Sequence, residues 1–234
     1  MKSDAVQFLS LGPGHPELLT QQAIDALRRA DVVFVPATKA ASGAVRSRAA
    51  SIVAPWCAPE RQQLYVLPMK KDRTGAEAVY DQLTADIADA HREGRRVAVA
   101  VEGDISIYAS IHYVLERLQA QGISVEQLAG IPSFIAAASV DALSLVSQQE
   151  RLLVIPGSTT AEELHRLLAS GHNVVVMKLS QCQDELKALL RQHPSTRCHY
   201  FENIGTAQQF STTNHDTIIA RPIPYFALAI LLCQ

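Results

Sequence analysis

The chain has 234 residues, 48% hydrophobic and 19% charged, enough to bury a sizeable core in one long domain or two small ones. A formal net charge of −2 is not typical of a nucleic-acid-binding protein, so an anionic ligand would need a local basic patch. No apolar run reaches the roughly 18 residues of a membrane span, and the N-terminus does not read as a secretory signal. We therefore expect neither nucleic acid nor a membrane as partner.

The first half of the chain predicts a βαβ unit followed by further α/β elements. The elements predicted there are strands at 6–11, 31–36 and 64–67 and helices at 17–29, 47–53 and 76–93. A glycine-rich turn, Gly12 to Pro16, follows the first strand. It matches neither G-x-G-x-x-G nor a P-loop, so by itself it is a weak indication of phosphate binding.

The stretch from Val97 to Tyr108 is the most informative part of the chain. Alternating Val and Ala residues at 97–101 predict a buried parallel strand, and a helical pattern follows Tyr108 and continues to about residue 121. Ligands of open α/β sheets bind beside the carboxyl ends of strands, where Gly103 would permit close approach and Asp104 would suit a cationic group. The alternative is that Asp104 only caps the following helix.

The character of the chain changes near residue 122, which predicts an α/β protein with domains at 1–122 and 123–234. The elements predicted after that point are strands at 124–128, 152–157, 174–179, 197–201, 217–220 and 224–232 and helices at 135–143, after Thr160 and at 184–190. Thr160 and Glu163 have the spacing of a capping box.

Several common catalytic and metal-binding patterns are missing from the sequence. There is no G-x-S-x-G elbow, no H-E-x-x-H and no paired metal spacing among the eight histidines. The cysteines also lie far apart, which argues against zinc and disulfides and favours reduced thiols in a cytoplasmic protein; they are Cys57, Cys182, Cys198 and Cys233. We expect no metal site, and chemistry that depends on positioning a reactive cofactor.

Five short motifs occur in a characteristic order. Residues 10–20 read as G-x-G-P-G-D-P-E-L-L-T with Ser10 for a glycine and His15 for an aspartate, and residues 103–108 read as G-D-P-x-x-Y with Ile105 for the proline. A P-G-I-x-S-like turn at 129–133, a strand carrying Met177 and the sequence at 202–206 follow. With these motifs the chain resembles the tetrapyrrole (corrin/porphyrin) methylase family over nearly its whole length.

Within that family the chain is most similar to the precorrin-2 methyltransferases of cobalamin biosynthesis, which methylate the meso carbon numbered 20. The similarity lies in residues 67–72, 94–98 and 224–228. It implies a homodimeric class III methyltransferase with two α/β domains around a cleft, the first carrying tetrapyrrole-side loops and the second contributing to the pocket for S-adenosylmethionine. The substrate would be precorrin-2 or cobalt-factor II, and the sequence leaves open which.

The resemblance also implies roles for individual residues. The positions implied to line the cofactor pocket are Pro13, Glu102, Gly103, Asp104, Ile107, Pro132, Ser133, Met177, Gly205 and Ala227. Glu102 and Tyr108 are the catalytic candidates, although no general base is assigned. The candidates for binding the eight substrate carboxylates are Lys39, Arg46, Arg48, Lys70, Lys71 and Arg73. Those six charges would otherwise belong to a solvated loop.

Other functions remain open at this point. A protein of the same fold could methylate another ring position, a ribosomal RNA ribose or a protein side chain. The departures at Ser10, His15 and Ile105 also suit a ligand-binding module without turnover. A further alternative is an α/β enzyme that uses the Gly12–Pro16 turn for a phosphorylated metabolite.

Overall fold

A computed structural model describes residues 5–39, 43–66 and 74–233 of the chain, with the side chains of 74–76 left out of the description. The chain divides into two units, 1–132 and 133–234, each built on one sheet with helices packed against it. This arrangement confirms the predicted α/β fold class. Among the described residues, no helix is long and apolar enough to cross a membrane, and no three His, Cys, Asp or Glu side chains form a metal-ion site.

The first unit is built on a mostly parallel sheet. Its elements are β1 (Val6–Ser10), a 3₁₀ helix (Pro16–Leu18), α1 (Gln21–Arg29), β2 (Val32–Lys39), β3 (Val45–Arg46), α2 (Arg48–Val53), a 3₁₀ helix (Pro59–Arg61), β4 (Gln62–Val66), α3 (Thr74–Arg92), β5 (Val97–Val101), α4 (His112–Ala120) and β6 (Val125–Leu128). The parallel strands lie in the order β4-β2-β5-β1-β6, and β3 pairs antiparallel with the end of β2.

Strand β5 lies at the centre of this sheet and is buried along its whole length, as predicted. Its valines belong to the core that includes α3 and α4, whereas Ala98 and Ala100 belong to the core that includes α1 and α2. Helices therefore cover both faces of the sheet, which is why β5 is apolar throughout rather than alternating. The carboxyl ends of β1, β5 and β6 consequently lie side by side at one edge.

The predicted boundary at 122 and the division in the structure differ because of β6. This strand pairs in parallel with β1 from Val6↔Val125 to Leu9↔Leu128, so it belongs to the first sheet. The first unit therefore continues to Pro132.

The helix predicted at 17–29 is two shorter helices in the structure. A 3₁₀ helix covers Pro16–Leu18, and α1 begins only at Gln21. Thr20 separates them: its backbone is extended, and its hydroxyl accepts a hydrogen bond from the Ala23 amide at 3.2 Å. The predicted start at Glu17 was wrong because the apolar residues have a helical spacing on both sides of Thr20, and that spacing hides the N-cap between the two helices.

The second unit is a mixed sheet covered on one face by three helices. Its elements are α5 (Ser133–Val140), β7 (Arg151–Ile155), α6 (Ala161–Ala169), β8 (His172–Val176), a 3₁₀ helix (Leu179–Gln181), α7 (Gln183–Gln192), β9 (Arg197–Glu202), β10 (Phe210–Thr212), α8 (His215–Ala220) and β11 (Ala227–Leu232). The strand order is β10-β9-β11-β8-β7, with only β7 and β8 parallel. Leu164, Leu186 and Ile218 bring α6, α7 and α8 into one core.

The strand predicted at 217–220 is helix α8 instead. The β-branched run Thr217-Ile218-Ile219 favours a strand by propensity. Asn214 precedes it as an N-cap, and its side-chain oxygen accepts from the Thr217 amide at 2.8 Å. Burial of Ile218 on one side of the helix outweighs the local propensity.

Candidate functional site

Two glycine turns meet at the carboxyl edge of the first sheet. Gly12 follows β1, Gly103 follows β5, and each donates its backbone N–H to the other's carbonyl, at 3.1 and 2.8 Å. Both have positive φ values, +69° and +79°, which favour glycine. A β-carbon at Gly103 would find no atom within 4 Å, so the backbone there is open to an approaching group. The two turns that the sequence singled out are therefore one structure.

Asp104 ties this structure to the turn after β6. Its side chain is buried, one oxygen accepts from the Ser106 amide at 2.9 Å and from the Ser106 hydroxyl, and the other accepts from the Gly130 amide at 2.7 Å. The next α-helix, α4, begins only at His112. The alternative that Asp104 caps that helix is therefore wrong.

The hydrogen bonds to Asp104 keep it ionised. Burial acts to raise the pKa of this carboxyl, but hydrogen bonds from Ser106, Gly130 and Ser10 outweigh it and hold the pKa below its ordinary value. The carboxylate thus places a fixed negative charge at the edge where the turns meet. The Asp104 oxygens already accept hydrogen bonds from protein groups. We therefore expect Asp104 to affect a ligand through the electric field of its charge and by holding the two turns in place.

Arg48, at the start of α2, contacts both the turn after β1 and the turn after β5. Its guanidinium donates to the carbonyl of Pro13, and its Nε lies 3.5 Å from Oε2 of Glu102. Burial raises the pKa of Glu102, and the charge of Arg48 offsets part of that rise. Arg48 stays a predicted substrate-binding residue, and in the structure its side chain also contacts these turns.

The two catalytic candidates lie on the same loop after β5. Glu102 is the first residue after the strand, and Tyr108 ends the turn in which the Ile107 amide donates to the Asp104 carbonyl at 3.1 Å. Tyr108 has a left-handed backbone with φ of 53° and is 41% exposed. Non-glycine residues seldom adopt this conformation, and such strain is common at functional sites.

In the second unit, three predicted cofactor positions gather at one edge of the sheet. Met177 follows β8, Gly205 lies in the turn after β9 with φ of 77°, and Ala227 begins β11. The pairings Ala227↔Glu202 and Ala229↔Val176 bring these strand ends side by side. Pro132 and Ser133 connect the two units in sequence, with Ser133 as the first residue of α5.

A buried charge network that the sequence did not predict lies next to this edge. Glu202 accepts from the Tyr200 hydroxyl at 2.6 Å and from two nitrogens of Arg221 at 3.0 and 3.1 Å. Arg221 also lies over the Phe210 ring, 4.0 Å from its centre. A glutamate directly after Tyr200 and Phe201 at the end of a predicted strand was the available signal, because a buried carboxylate needs a charged partner.

The predicted substrate cations are only partly described. Lys39 and Arg46 are exposed on the short antiparallel ribbon of β2 and β3, in which Thr38 pairs with Arg46 and Lys39 with Val45. Lys70, Lys71 and Arg73 lie outside the described residues.

We expect Arg48→Met to destabilise the protein by about 1–2 kcal/mol at neutral pH, because Glu102 loses its nearby positive charge. The raised pKa of Glu102 then rises further. A carboxyl whose folded-state pKa exceeds its unfolded value favours the folded state less as pH increases, so the loss should be larger near pH 7.5 than near pH 5. Urea unfolding at both pH values measures it.

Arg28→Met is the matched control, because Arg28 is an exposed arginine of the same unit, 3.8 Å from Asp25. Its effect should be small at both pH values. Equal losses for Arg48→Met at the two pH values would contradict the assigned interaction with Glu102.

Known methyltransferases are similar to this chain in sequence and in fold. A relative from Salmonella typhimurium, named cobalt-precorrin-2 C(20)-methyltransferase, is 26% identical over 95% of this chain and 94% of its own length. One from a Sinorhizobium species, named precorrin-2 C(20)-methyltransferase, is 29% identical over 94% of this chain and 91% of its own length. A solved uroporphyrin-III C-methyltransferase from Thermus thermophilus, complexed with S-adenosyl homocysteine, has the same fold, with a TM-score of 0.70, 21% identity and 97% coverage of each chain.

The family itself is shown by sequence. The profile of the tetrapyrrole (corrin/porphyrin) methylases matches residues 5–217, nearly the whole chain, which confirms the resemblance inferred from the motifs. The chain therefore belongs to the tetrapyrrole (corrin/porphyrin) methylases and is a methyltransferase.

Proposed function

We propose that this protein transfers a methyl group from S-adenosylmethionine to carbon 20 of precorrin-2, or of its cobalt form, in cobalamin biosynthesis. The structural observation that carries the proposal is the joined pair of turns at Gly12 and Gly103 with the ionised Asp104 beside them. The position on the ring is supported by the names of the relatives from Salmonella and Sinorhizobium, each aligned over most of this chain.

When bound, S-adenosylmethionine supplies an electrophilic methyl group on a positively charged sulfur. The residues of this chain suit such a group: the open backbone at Gly103 leaves room for it, and the negative charge of Asp104 favours cationic character nearby. The nucleophilic meso carbon forms the new C–C bond as the C–S bond breaks, so no covalent enzyme intermediate is needed.

We propose Glu102 and Tyr108 as the candidates for accepting the proton that the methylated carbon loses. Burial raises the pKa of Glu102, which makes it a better proton acceptor than an ordinary carboxylate near neutral pH. Tyr108 is exposed on the same loop. The loop after β5 therefore carries two candidates for this proton transfer, beside Asp104, and the sequence lacks the metal-binding and nucleophilic motifs that other mechanisms require.

The proposal also assigns cofactor-contacting and substrate-binding roles to further residues. We propose that the remaining positions implied by the family contact the cofactor; they are Pro13, Ile107, Pro132, Ser133, Met177, Gly205 and Ala227. The residues proposed to bind substrate carboxylates are Lys39, Arg46, Arg48, Lys70, Lys71 and Arg73, and loops of the first unit face the tetrapyrrole. We also propose a cytoplasmic homodimer. The exposed apolar side chains of Ile135 and Val140 on α5 favour a dimer. A measurement of the molar mass in the assay solution tests it.

The test is methyl transfer from labelled S-adenosylmethionine to three acceptors in parallel: precorrin-2, cobalt-precorrin-2 and uroporphyrinogen III. We expect one methyl group to be added to a precorrin-2 form and none to uroporphyrinogen III. Methylation of uroporphyrinogen III alone would assign a different ring position. Binding of S-adenosylhomocysteine without transfer to any acceptor would favour a binding module, and no binding at all would contradict the cofactor assignment.

A further inference from the structure

Ser10 is a polar residue buried at the end of an apolar strand. It is 0% exposed and lies between Leu9 and Leu11, which belong to the hydrophobic core. Its hydroxyl oxygen accepts a hydrogen bond from the backbone N–H of Ile105 at 3.0 Å. Ile105 is also 0% exposed and directly follows Asp104. The two residues are therefore partners across adjacent strand ends.

This partnership joins two positions at which the chain departs from the motifs described above. Those motifs have glycine in place of Ser10 and proline in place of Ile105. Proline has no backbone N–H, and glycine has no side-chain acceptor. Isoleucine brings a buried N–H that would cost about 1–3 kcal/mol if left unpaired, and serine brings an oxygen that accepts from it. Each departure thus supplies what the other requires.

The surroundings of Ser10 connect this hydrogen bond to Asp104. A β-carbon at Gly130 would lie 2.4 Å from the Ser10 β-carbon, so the Ser10 side chain packs directly on the turn whose amide donates to Asp104. The Ser10 side chain is also among the groups that hold the pKa of Asp104 below its ordinary value. Ser10 therefore contacts the residue that follows Asp104 and packs on the turn whose amide donates to Asp104.

We propose that Ser10 is a positioning residue whose hydroxyl, paired with the Ile105 amide, holds the Asp104 turn in the form that binds the methyl-donor cofactor. Ser10 and Ile105 act as a compensating pair, so that either partner alone is unfavourable and the two together are tolerated. This inference rests on the proposed function for its link to the cofactor. The hydrogen bond itself is independent of that function.

The test is a double-mutant cycle of Ser10→Gly, Ile105→Pro and the two combined. Calorimetry with S-adenosylhomocysteine measures affinity, and urea unfolding measures stability. We expect Ser10→Gly to weaken binding roughly tenfold, because the Ile105 amide loses its acceptor, and the double variant to return to within about threefold of the unsubstituted protein. Ser124→Gly, an exposed serine just before β6 at the opposite end of the sheet, should bind normally.

A second pair of variants removes the dependence on how well Ile105→Pro folds. Ser10→Thr and Ser10→Val have the same shape and differ only in the hydroxyl. We expect the threonine variant to bind S-adenosylhomocysteine about tenfold more tightly than the valine variant. A purely structural role would change the urea midpoint of these variants and leave the affinity of the folded protein unchanged.

The outcomes separate this inference from the proposed function. Equal affinities for the threonine and valine variants, or a double variant as weak as the product of the two single effects, would overturn the positioning role while the unsubstituted protein still binds. If the unsubstituted protein does not bind S-adenosylhomocysteine, the proposed function and the positioning role both fail. The coupling in unfolding free energy would then report on the Ser10–Ile105 hydrogen bond alone, and a coupling of zero would overturn the pairing too.

Discussion

Replacement of Asp104 by asparagine is expected to weaken binding of S-adenosylhomocysteine by about a hundredfold. Asparagine keeps the shape but removes the charge and turns one acceptor into a donor, which would face the amide of Gly130 or the donors of Ser106. The variant has to form the binding-competent turn without these charge-assisted hydrogen bonds, and a cost of about 2–3 kcal/mol for that turn corresponds to this factor in affinity. Isothermal titration calorimetry measures it directly, with Asp104→Ala as a second variant.

The same variant should change how stability depends on pH. The pKa of Asp104 in the folded protein lies below its unfolded value of about 3.8, so the ionised group stabilises the fold above that pH. This contribution is lost as pH falls through the folded-state pKa, and Asp104→Asn should lack that part of the acid transition.

Asp25→Asn serves as the control, since Asp25 lies partly exposed on α1 of the same unit. It should alter neither the affinity nor the acid transition. An Asp104→Asn protein that binds S-adenosylhomocysteine within threefold of the unsubstituted protein would show that this carboxylate does not organise the site.

Substitution of Gly130 by alanine is expected to destabilise the protein by about 1–3 kcal/mol and to reduce cofactor binding strongly. The new β-carbon would lie 2.4 Å from the Ser10 β-carbon and 3.2 Å from the Ser10 carbonyl oxygen, so the turn after β6 has to shift. A shift of this turn moves the amide that donates to Asp104. Urea unfolding and calorimetry measure the two effects.

Two further variants identify the cause of the Gly130→Ala effect. Combining it with Ser10→Gly removes the nearest clashing atom, the Ser10 β-carbon, and should restore part of the stability. Gly94→Ala meets no atom within 4 Å but has a positive φ of +81°, so it reports backbone strain without a clash. If Gly130→Ala has no more effect than the Gly94→Ala control, the close packing of Gly130 on Ser10 is wrong.

Local sequence patterns predicted the central features of the first unit. The Val-Ala alternation at 97–101 predicted the buried strand β5, because a strand covered on both faces must be apolar on both sides. Glycines in the sequence after β1 and β5 predicted the turns, and in the structure Gly12 and Gly103 have positive φ values. Parallel pairing of neighbouring strands then brings those turns together, which is a consequence of the fold class rather than of any single motif.

Features that depend on distant partners could not be predicted in the same way. Ser10 and Ile105 are 95 residues apart in sequence, and nothing near either of them indicates that they share a hydrogen bond. Strand β6 joins the first sheet through β1, so the unit boundary lies beyond the change in local composition. For Arg48, the charge was visible in the sequence but the direction of its side chain, toward Glu102 and Pro13, was not.

The position of the new methyl group is the most direct test of the central claim. The protein is incubated with precorrin-2, in parallel with its cobalt form, and with S-adenosylmethionine labelled with ¹³C in the methyl group, and the product is analysed by NMR. We expect one enriched methyl signal, on carbon 20, absent from a reaction without protein. An enriched methyl group on any other ring carbon, or no enrichment from a protein that binds S-adenosylhomocysteine, would contradict the proposed reaction.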